Sequence, residues 1–119
     1  MDRPVFNVGD VLTGSYMLGY WPRYKYFRVK GHTKSGAPRV VELKKNLISE
    51  SSTPADSTKV HTLDPTLVEI GELLPTRWSA KNGDYGVSIP LFDFQPNEKV
   101  RASLIPYIPG SSFTEDSYS

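Results

Sequence analysis

YKYFRVKGH, the stretch Tyr24–His32, is the part of this 119-residue sequence that best predicts its fold. Successive side chains of a β-strand point to opposite faces, so Phe27 and Val29 share one face of this segment. Arg28 and Lys30 share the other face with the two tyrosines of the stretch. The alternation predicts a strand with an apolar inner face and an aromatic, cationic outer face.

The flanking segments predict strands that pair with it. Val11–Tyr16 reads as a preceding strand, and Arg39–Lys45 follows after the turn-forming sequence TKSGAP. We expect Val29 to lie across from Val41 or Leu43 with the apolar groups pointing inward. The result is a self-consistent hairpin whose outer face is aromatic and cationic.

A second hairpin is predicted around Asn82–Gly83, the favoured residue pair of a type I′ turn. A two-residue loop there pairs Trp78 with Val87 and Thr76 with Ile89, mostly apolar residues on one face. The pairs and the turn chemistry independently indicate the same hairpin.

The other elements are less regular. Thr66–Leu74 fits either a short helix or a strand. Val100–Tyr107 predicts a last short strand, which the prolines at 106 and 109 should confine to a sheet edge.

Together these segments predict an all-β fold: a small SH3-like barrel or a curled antiparallel sheet of five or six short strands. Residues 1–109 are expected to form a single β-barrel domain. A flexible loop is expected at about 48–58, because Ser49–Ser57 contains nothing that could be buried. Residues 110–119 read as a flexible acidic C-terminal tail.

The charges are concentrated in one segment. Eight of the fourteen Lys and Arg residues fall between Arg23 and Lys45, against the single acid Glu42. Cations neutralise phosphates and aromatic rings stack on bases, so this pattern is typical of a nucleic-acid surface. The residues predicted to bind nucleic acid or another partner are Trp21, Arg23, Tyr24, Tyr26, Arg28, Lys30 and Lys44.

Two other interpretations of the same residues stay open. Tyr, Trp and Arg are also enriched in protein interfaces, and Tyr and Arg suit a solvated strand face. Trp21 could cap the barrel as part of its core or stay exposed as an aromatic groove. The leading alternative function is a virion structural or accessory protein that acts through protein–protein contacts or forms a homo-oligomer through exposed strand edges.

Composition argues against several classes of protein. Without cysteine there is no disulfide and no thiolate ligand, and two isolated histidines do not make a zinc site. No P-loop, dinucleotide fingerprint or nucleophile elbow occurs, so we expect no enzyme activity, no cofactor and no metal. The absence of a long apolar window or a secretory signal predicts no membrane partner. The expected location is intracellular, in the cytoplasm or nucleus of a host, or in a virion.

Residues 8–45 carry a loose family pattern. A Gly-Asp pair at Gly9-Asp10 leads into a short apolar strand, a Ser-aromatic step and the pair Gly19-Tyr20, and the strand Tyr26–Val29 follows. This order resembles small SH3-like barrel proteins of unknown function from bacteriophages and large DNA viruses. The resemblance implies a small viral β-barrel and supplies no site. The sequence as a whole therefore predicts a non-enzymatic binding module, viral or from a phage, that contacts nucleic acid through a basic aromatic strand surface.

Overall fold

The computed structural model describes residues 3–53, 56–92 and 95–118, and within those ranges it holds strands and turns but no helix. Most of Thr66–Leu74 belongs to a strand. The strands in chain order are β1 (Val11–Leu18), β2 (Trp21–His32), β3 (Pro38–Leu43), β4 (Lys45–Ser52), β5 (Asp56–Leu63), β6 (Glu69–Ser79), β7 (Asp84–Phe92), β8 (Gln95–Pro106) and β9 (Ser112–Tyr118).

Six strands close into an antiparallel barrel in the order β1-β2-β3-β6-β7-β8, and β8 pairs back onto β1. Leu12 lies opposite Phe27 on one side and opposite Pro106 on the other. The barrel confirms the predicted all-β fold and is consistent with an SH3-like barrel. The predicted edge position of Val100–Tyr107 is wrong, because β8 has a neighbour on both sides. Pro106 is tolerated there since it stands at the last position of the strand.

The barrel interior is filled by side chains that alternate inward along the strands. Phe27, Val29 and Val40 are completely buried, as the alternation in β2 predicted for the first two. The buried hydroxyl of Thr76 donates to the Pro38 carbonyl at 2.7 Å, so it keeps a partner inside the apolar core. This core places the opposite face of β2 on the outside of the barrel.

A β-bulge between Val29 and Gly31 changes the predicted pairing of β2 with β3. An uninterrupted ladder would place Val29 opposite Val41, but the extra residue places Val29 opposite Val40. The predicted pairing of Val29 with Val41 or Leu43 is therefore wrong. Because a shift of one residue reverses the faces, Val41 and Leu43 point away from the barrel interior.

The β6–β7 hairpin is present with a longer turn than predicted. Four residues connect the strands, and the N–H of Gly83 donates to the Ser79 carbonyl at 2.7 Å. Trp78 consequently lies opposite Tyr85 rather than Val87. A shift of two residues leaves each side chain on its predicted face, because the period of a strand is two.

β4, β5 and β9 form a second, three-stranded sheet with β5 in the middle. The β4–β5 hairpin is an insertion between barrel strands β3 and β6, and Lys44 closes its base. The Lys44 N–H donates to the Val68 carbonyl at 2.8 Å, and its carbonyl accepts the Asp64 N–H at 3.2 Å.

These strands replace the loop predicted at 48–58 and the tail predicted at 110–119, so both secondary-structure predictions are wrong. Residues 54, 55 and 119 lie outside the described residues. The prediction assumed that a polar segment without buried side chains stays irregular. Here the order comes from a backbone ladder between β5 and the distant strand β9, from Thr62 opposite Ser112 to Asp56 opposite Tyr118. A local pattern does not reveal such a pairing.

Candidate functional site

The second sheet covers the outer face of β2 around Tyr26. This residue is 1% exposed and forms a second core with Leu43 and Leu63. Its ring stands edge-on to Tyr107 at a centroid distance of 5.6 Å and is tilted against Phe113 at 5.8 Å. The expectation that Tyr26 lies on an open face is therefore wrong. Alternation shows which way a side chain points, but not what packs against it.

Burial also changes the chemistry of Tyr26. Desolvation raises the pKa of its phenol to about 12, and the neighbouring Tyr107 and Glu115 add to the rise. The hydroxyl oxygen is buried and has no hydrogen-bond partner among the described residues. An unpaired buried hydroxyl costs free energy, so this ring contributes by packing rather than by polar contacts.

Tyr24 is stacked on a residue of β9. Its ring lies parallel to that of Phe113, with centroids 4.1 Å apart and an angle of 11° between the planes. Such a stack is the contact that a nucleic-acid base would make with a tyrosine. One face of the predicted stacking platform is therefore occupied by the chain's own C-terminal strand.

The carboxylate of Glu115 contacts two cationic side chains and one imidazole. Its Oε1 lies 2.8 Å from Lys45 Nζ and 3.3 Å from His61 Nε2, and its Oε2 lies 3.3 Å from Arg23 Nε. Lys45 Nζ also donates to the Tyr24 carbonyl at 3.0 Å. Because the Glu115 side chain is only 10% exposed, these partners compensate a largely desolvated charge. Arg23, predicted as a binding residue, thus takes part in an internal ion pair.

His61 lies between these charges. Burial lowers the pKa of its imidazole, and Lys45 and Lys59 lower it further, while Glu115 acts in the opposite direction. The lowered pKa favours the neutral ring at pH 7, and its Nε2 lies 3.3 Å from Glu115 Oε1. Its Nδ1 is buried without a hydrogen-bond partner in the described part of the chain.

A cavity of about 220 Å³ opens beside this cluster. It is lined by Arg23, Lys45, Ser57, Lys59, His61 and Glu115. Lys59 stands directly opposite Glu115 on β9 and Glu50 on β4, yet forms no ion pair within the described ranges. With three cations, one carboxylate and a neutral imidazole, the lining carries a net charge of +2.

The far end of the β2–β3 hairpin carries cations that form a separate group. Arg28 lies opposite Val41, and Arg39 precedes Val41 by two residues on the same face of β3. Such diagonal neighbours are roughly 7–8 Å apart. Lys34 is exposed in the connecting turn. We call Arg28, Lys34 and Arg39 the hairpin-tip basic face.

The remaining predicted residues are dispersed. Lys30 occupies the β2 bulge, and its ammonium binds Glu69 at 3.0 Å. Lys44 is exposed at the base of the inserted hairpin. Trp21 is half-buried at the start of β2, opposite Leu18. The structure therefore spreads six of the seven predicted residues along β2, places Lys44 between β3 and β4, and does not gather the seven into one surface.

Sequence reasoning missed Glu115, Phe113, Lys59 and His61 as neighbours of β2. The first two lie in the segment predicted as a tail, and the other two lie on β5, whose pairing with β9 no local pattern of the sequence indicates. The available signal was charge: the acidic end of the chain is complementary to the basic segment 23–45.

No helix in the described ranges is long and apolar enough to cross a membrane. Within the same residues, no group of three His, Cys, Asp or Glu side chains is arranged to hold a metal ion. The chain matches no protein-family model, no curated protein and no solved structure.

Proposed function

We propose that the protein is a non-enzymatic binding module that contacts nucleic acid through the hairpin-tip basic face of Arg28, Lys34 and Arg39. The supporting observation is an unequal distribution of ion pairs along the basic segment. The cations of this segment that pair with acids are Arg23, Lys25, Lys30 and Lys45. Among the described residues, the other four cations of the segment form no ion pair. Lys44 lies apart at the base of the inserted hairpin, and the three of the hairpin-tip basic face keep their charge available to an anionic partner.

The contact proposed here is with phosphates rather than bases. The rings of Tyr24 and Tyr26 pack against Phe113, so aromatic stacking on β2 is not the basis of the interaction. Phosphate contacts position a protein on nucleic acid without reading its sequence. Binding should therefore be of similar strength for unrelated sequences and should weaken steeply with salt.

Fluorescence anisotropy of labelled oligonucleotides over a salt series tests the proposal. About three phosphate contacts predict a log–log slope of about −2 to −3, single strands lying at the shallower end. Arg28→Ala with Arg39→Ala should make the slope shallower by one to two. The control pair Lys81→Ala with Lys99→Ala removes equal charge from exposed positions elsewhere on the barrel. Absence of binding at physiological salt, or an equal effect of the control, would contradict the proposal.

A viral or phage origin, with a location inside the host cell or in a virion, remains part of the proposal. Its support is the family pattern in residues 8–45. The resemblance bears on origin alone and does not identify the ligand.

A second candidate function is assembly through protein–protein contacts, as in a virion structural or accessory protein. The supporting observation is the edge of β4, which among the described residues pairs with β5 alone and has no strand on its other side. Leu47 and Ile48 on this strand are 48% and 57% exposed. Open edges with apolar side chains are templates for pairing with another chain.

Light scattering across a concentration range would test this candidate. Ile48→Lys should abolish any concentration-dependent oligomer, because a charge on an edge strand opposes pairing. Ile108→Lys is the matched control, since Ile108 is equally apolar and more exposed, at 68%, but lies outside the strands. A protein that stays monomeric at all concentrations would leave nucleic-acid binding as the better proposal.

A further inference from the structure

The cavity beside Glu115 has the composition of an anion site. We propose that it binds a phosphate dianion, free or as the terminal group of a nucleotide, between Arg23, Ser57 and Lys59. This site is separate from the hairpin-tip basic face, and it does not depend on the function proposed above.

The cavity contains more positive charge than its own carboxylate compensates. Glu115 is engaged by Lys45, Arg23 and His61, while Lys59 makes no ion pair with any described residue. An anion in this partly enclosed space would interact with Arg23 and Lys45 more strongly than at an open surface, because the local dielectric constant is lower, while Lys59 is exposed.

Hydrogen-bond donors lie beside that charge. Lys59 offers an ammonium group, and Ser57, two residues before it on the same face of β5, offers a hydroxyl. Neither side chain makes a hydrogen bond to another group in the described ranges. Hydrogen bonds from a charged donor to a phosphate oxygen are among the strongest that proteins form.

The size and the acidic neighbours narrow the class of ligand. A cavity of about 220 Å³ has room for a tetrahedral oxyanion with part of its hydration. Glu50 faces Lys59 from β4, is exposed and does not line the cavity. The charge excess favours a dianion over a monoanion such as a carboxylate.

The two histidines provide an internal comparison for testing this site. Inorganic phosphate is titrated into the full chain at constant ionic strength while the imidazole resonances are followed by NMR. The His61 resonances should shift saturably, because a bound dianion stabilises the charged imidazole. His32 should not respond, since its ring is held by the Phe6 carbonyl at 2.6 Å, away from the cavity. Equal shifts of both rings, or a shift that does not saturate, would overturn the proposal.

Variants of Lys59 then test whether its charge is needed for phosphate binding. Lys59→Ala should weaken phosphate binding about tenfold or more, and Lys59→Arg should retain it, because the donor charge is kept. Lys81→Ala is the control, since it removes one exposed cation from the β6–β7 turn. The dispersion of the same spectra shows that each variant is folded. Unchanged affinity in Lys59→Ala, or an equal loss in Lys81→Ala, would exclude the site.

The source of the phosphate is distinguished by a dinucleotide with and without a 5′-phosphate. Tighter binding of the phosphorylated form than of inorganic phosphate would assign the site to a nucleotide terminus. Weaker binding of that form would assign it to free phosphate. Equal competition by the unphosphorylated dinucleotide would show that the cavity does not recognise a phosphate dianion, and would overturn the proposal.

Discussion

Tyr24 on the barrel and Phe113 on the last strand are stacked ring on ring, with centroids 4.1 Å apart. The contact joins the barrel to the second sheet and lies beside the Glu115 ion cluster, two residues further along β9. β9 is therefore a structural strand that closes the outer face of β2. Loss of this contact should affect both the stability of the protein and the exposure of its aromatic face.

Replacing Phe113 with Ala should lower the free energy of unfolding by about 2–3 kcal/mol, since a packed aromatic ring is lost from the second core. Urea denaturation measures the effect. Ile108→Ala removes a side chain that is 68% exposed and should change the stability by less than about 0.5 kcal/mol. Equal values for the two variants would show that β9 does not pack on β2.

Two variants of Tyr26 distinguish the contribution of packing to stability from that of hydrogen bonding. Tyr26→Phe removes a buried hydroxyl that has no partner among the described residues, so stability should stay the same or rise by about 1 kcal/mol. Tyr26→Ala should cost about 3–5 kcal/mol, because it opens a cavity between the two sheets. Denaturation of both variants tests this pair, and a large loss in Tyr26→Phe would reveal a hydrogen bond that the structure does not show.

The same phenol predicts a loss of stability in alkali. Its pKa is about 12 in the folded protein and 10 in an unfolded chain. The folded state therefore holds the phenol proton more tightly than the unfolded chain does. The contribution of the Tyr26 phenol to stability is complete below pH 10 and declines between pH 10 and 12. Tyr26→Phe should lose less stability than the wild type over this range. Absorbance at 295 nm should show one tyrosine that ionises about two pH units later than the exposed ones.

Local patterns predicted the elements whose partners are close in sequence. Phe27 and Val29 face the barrel interior because strand alternation needs only the strand itself. The β6–β7 hairpin was predicted from its turn residues, although Ser79 and Gly83 form a longer loop. The bulge at Lys30 inserts one polar residue that leaves no mark on the apolar pattern, so the register beyond it was not predictable.

The candidate site was less predictable, because its contacts cross long stretches of chain. The basic segment was recognisable from its charge, but not which of its cations pair with acids elsewhere. Arg23 and Lys45 meet Glu115 only because β9 pairs with β5, and that pairing involves polar strands without a distinct pattern. Tyr26 looked exposed for the same reason: a face can be predicted without knowledge of its neighbour.

Replacing two glycines of the barrel with alanine should change the stability of the protein in opposite directions. A Cβ on Gly14 would lie 2.7 Å from Cε2 of the buried Phe27, whereas one on Gly31 would meet no atom within 4 Å. Gly14→Ala should therefore cost about 1–3 kcal/mol through overpacking. Gly31→Ala should be neutral or add up to about 0.5–1 kcal/mol by restricting the unfolded chain. Thermal unfolding of the two variants measures both, and a tolerated Gly14→Ala would mean that the Phe27 ring can move.

The lowered pKa of His61 predicts that the protein loses stability in mild acid. Burial and the charge of Lys45 lower the pKa of its imidazole in the folded state below the ordinary value of 6.5. The unfolded chain therefore binds the proton more readily, so the contribution of this residue is complete above pH 6.5. It is lost as the pH falls through the lower pKa of the folded state.

The measurement is the free energy of unfolding at intervals from pH 7.5 to pH 5, in the wild type and in His61→Gln, which has no titrating ring. The wild type should lose more stability than the variant as the pH falls, since only the wild type must protonate an imidazole beside Lys45, Lys59 and Arg23. Glu115 favours the imidazolium, whereas burial and the neighbouring cations disfavour it. If the effect of Glu115 were the larger, the wild type would instead gain stability relative to His61→Gln in acid. The sign of that difference therefore shows which charges dominate at the cavity.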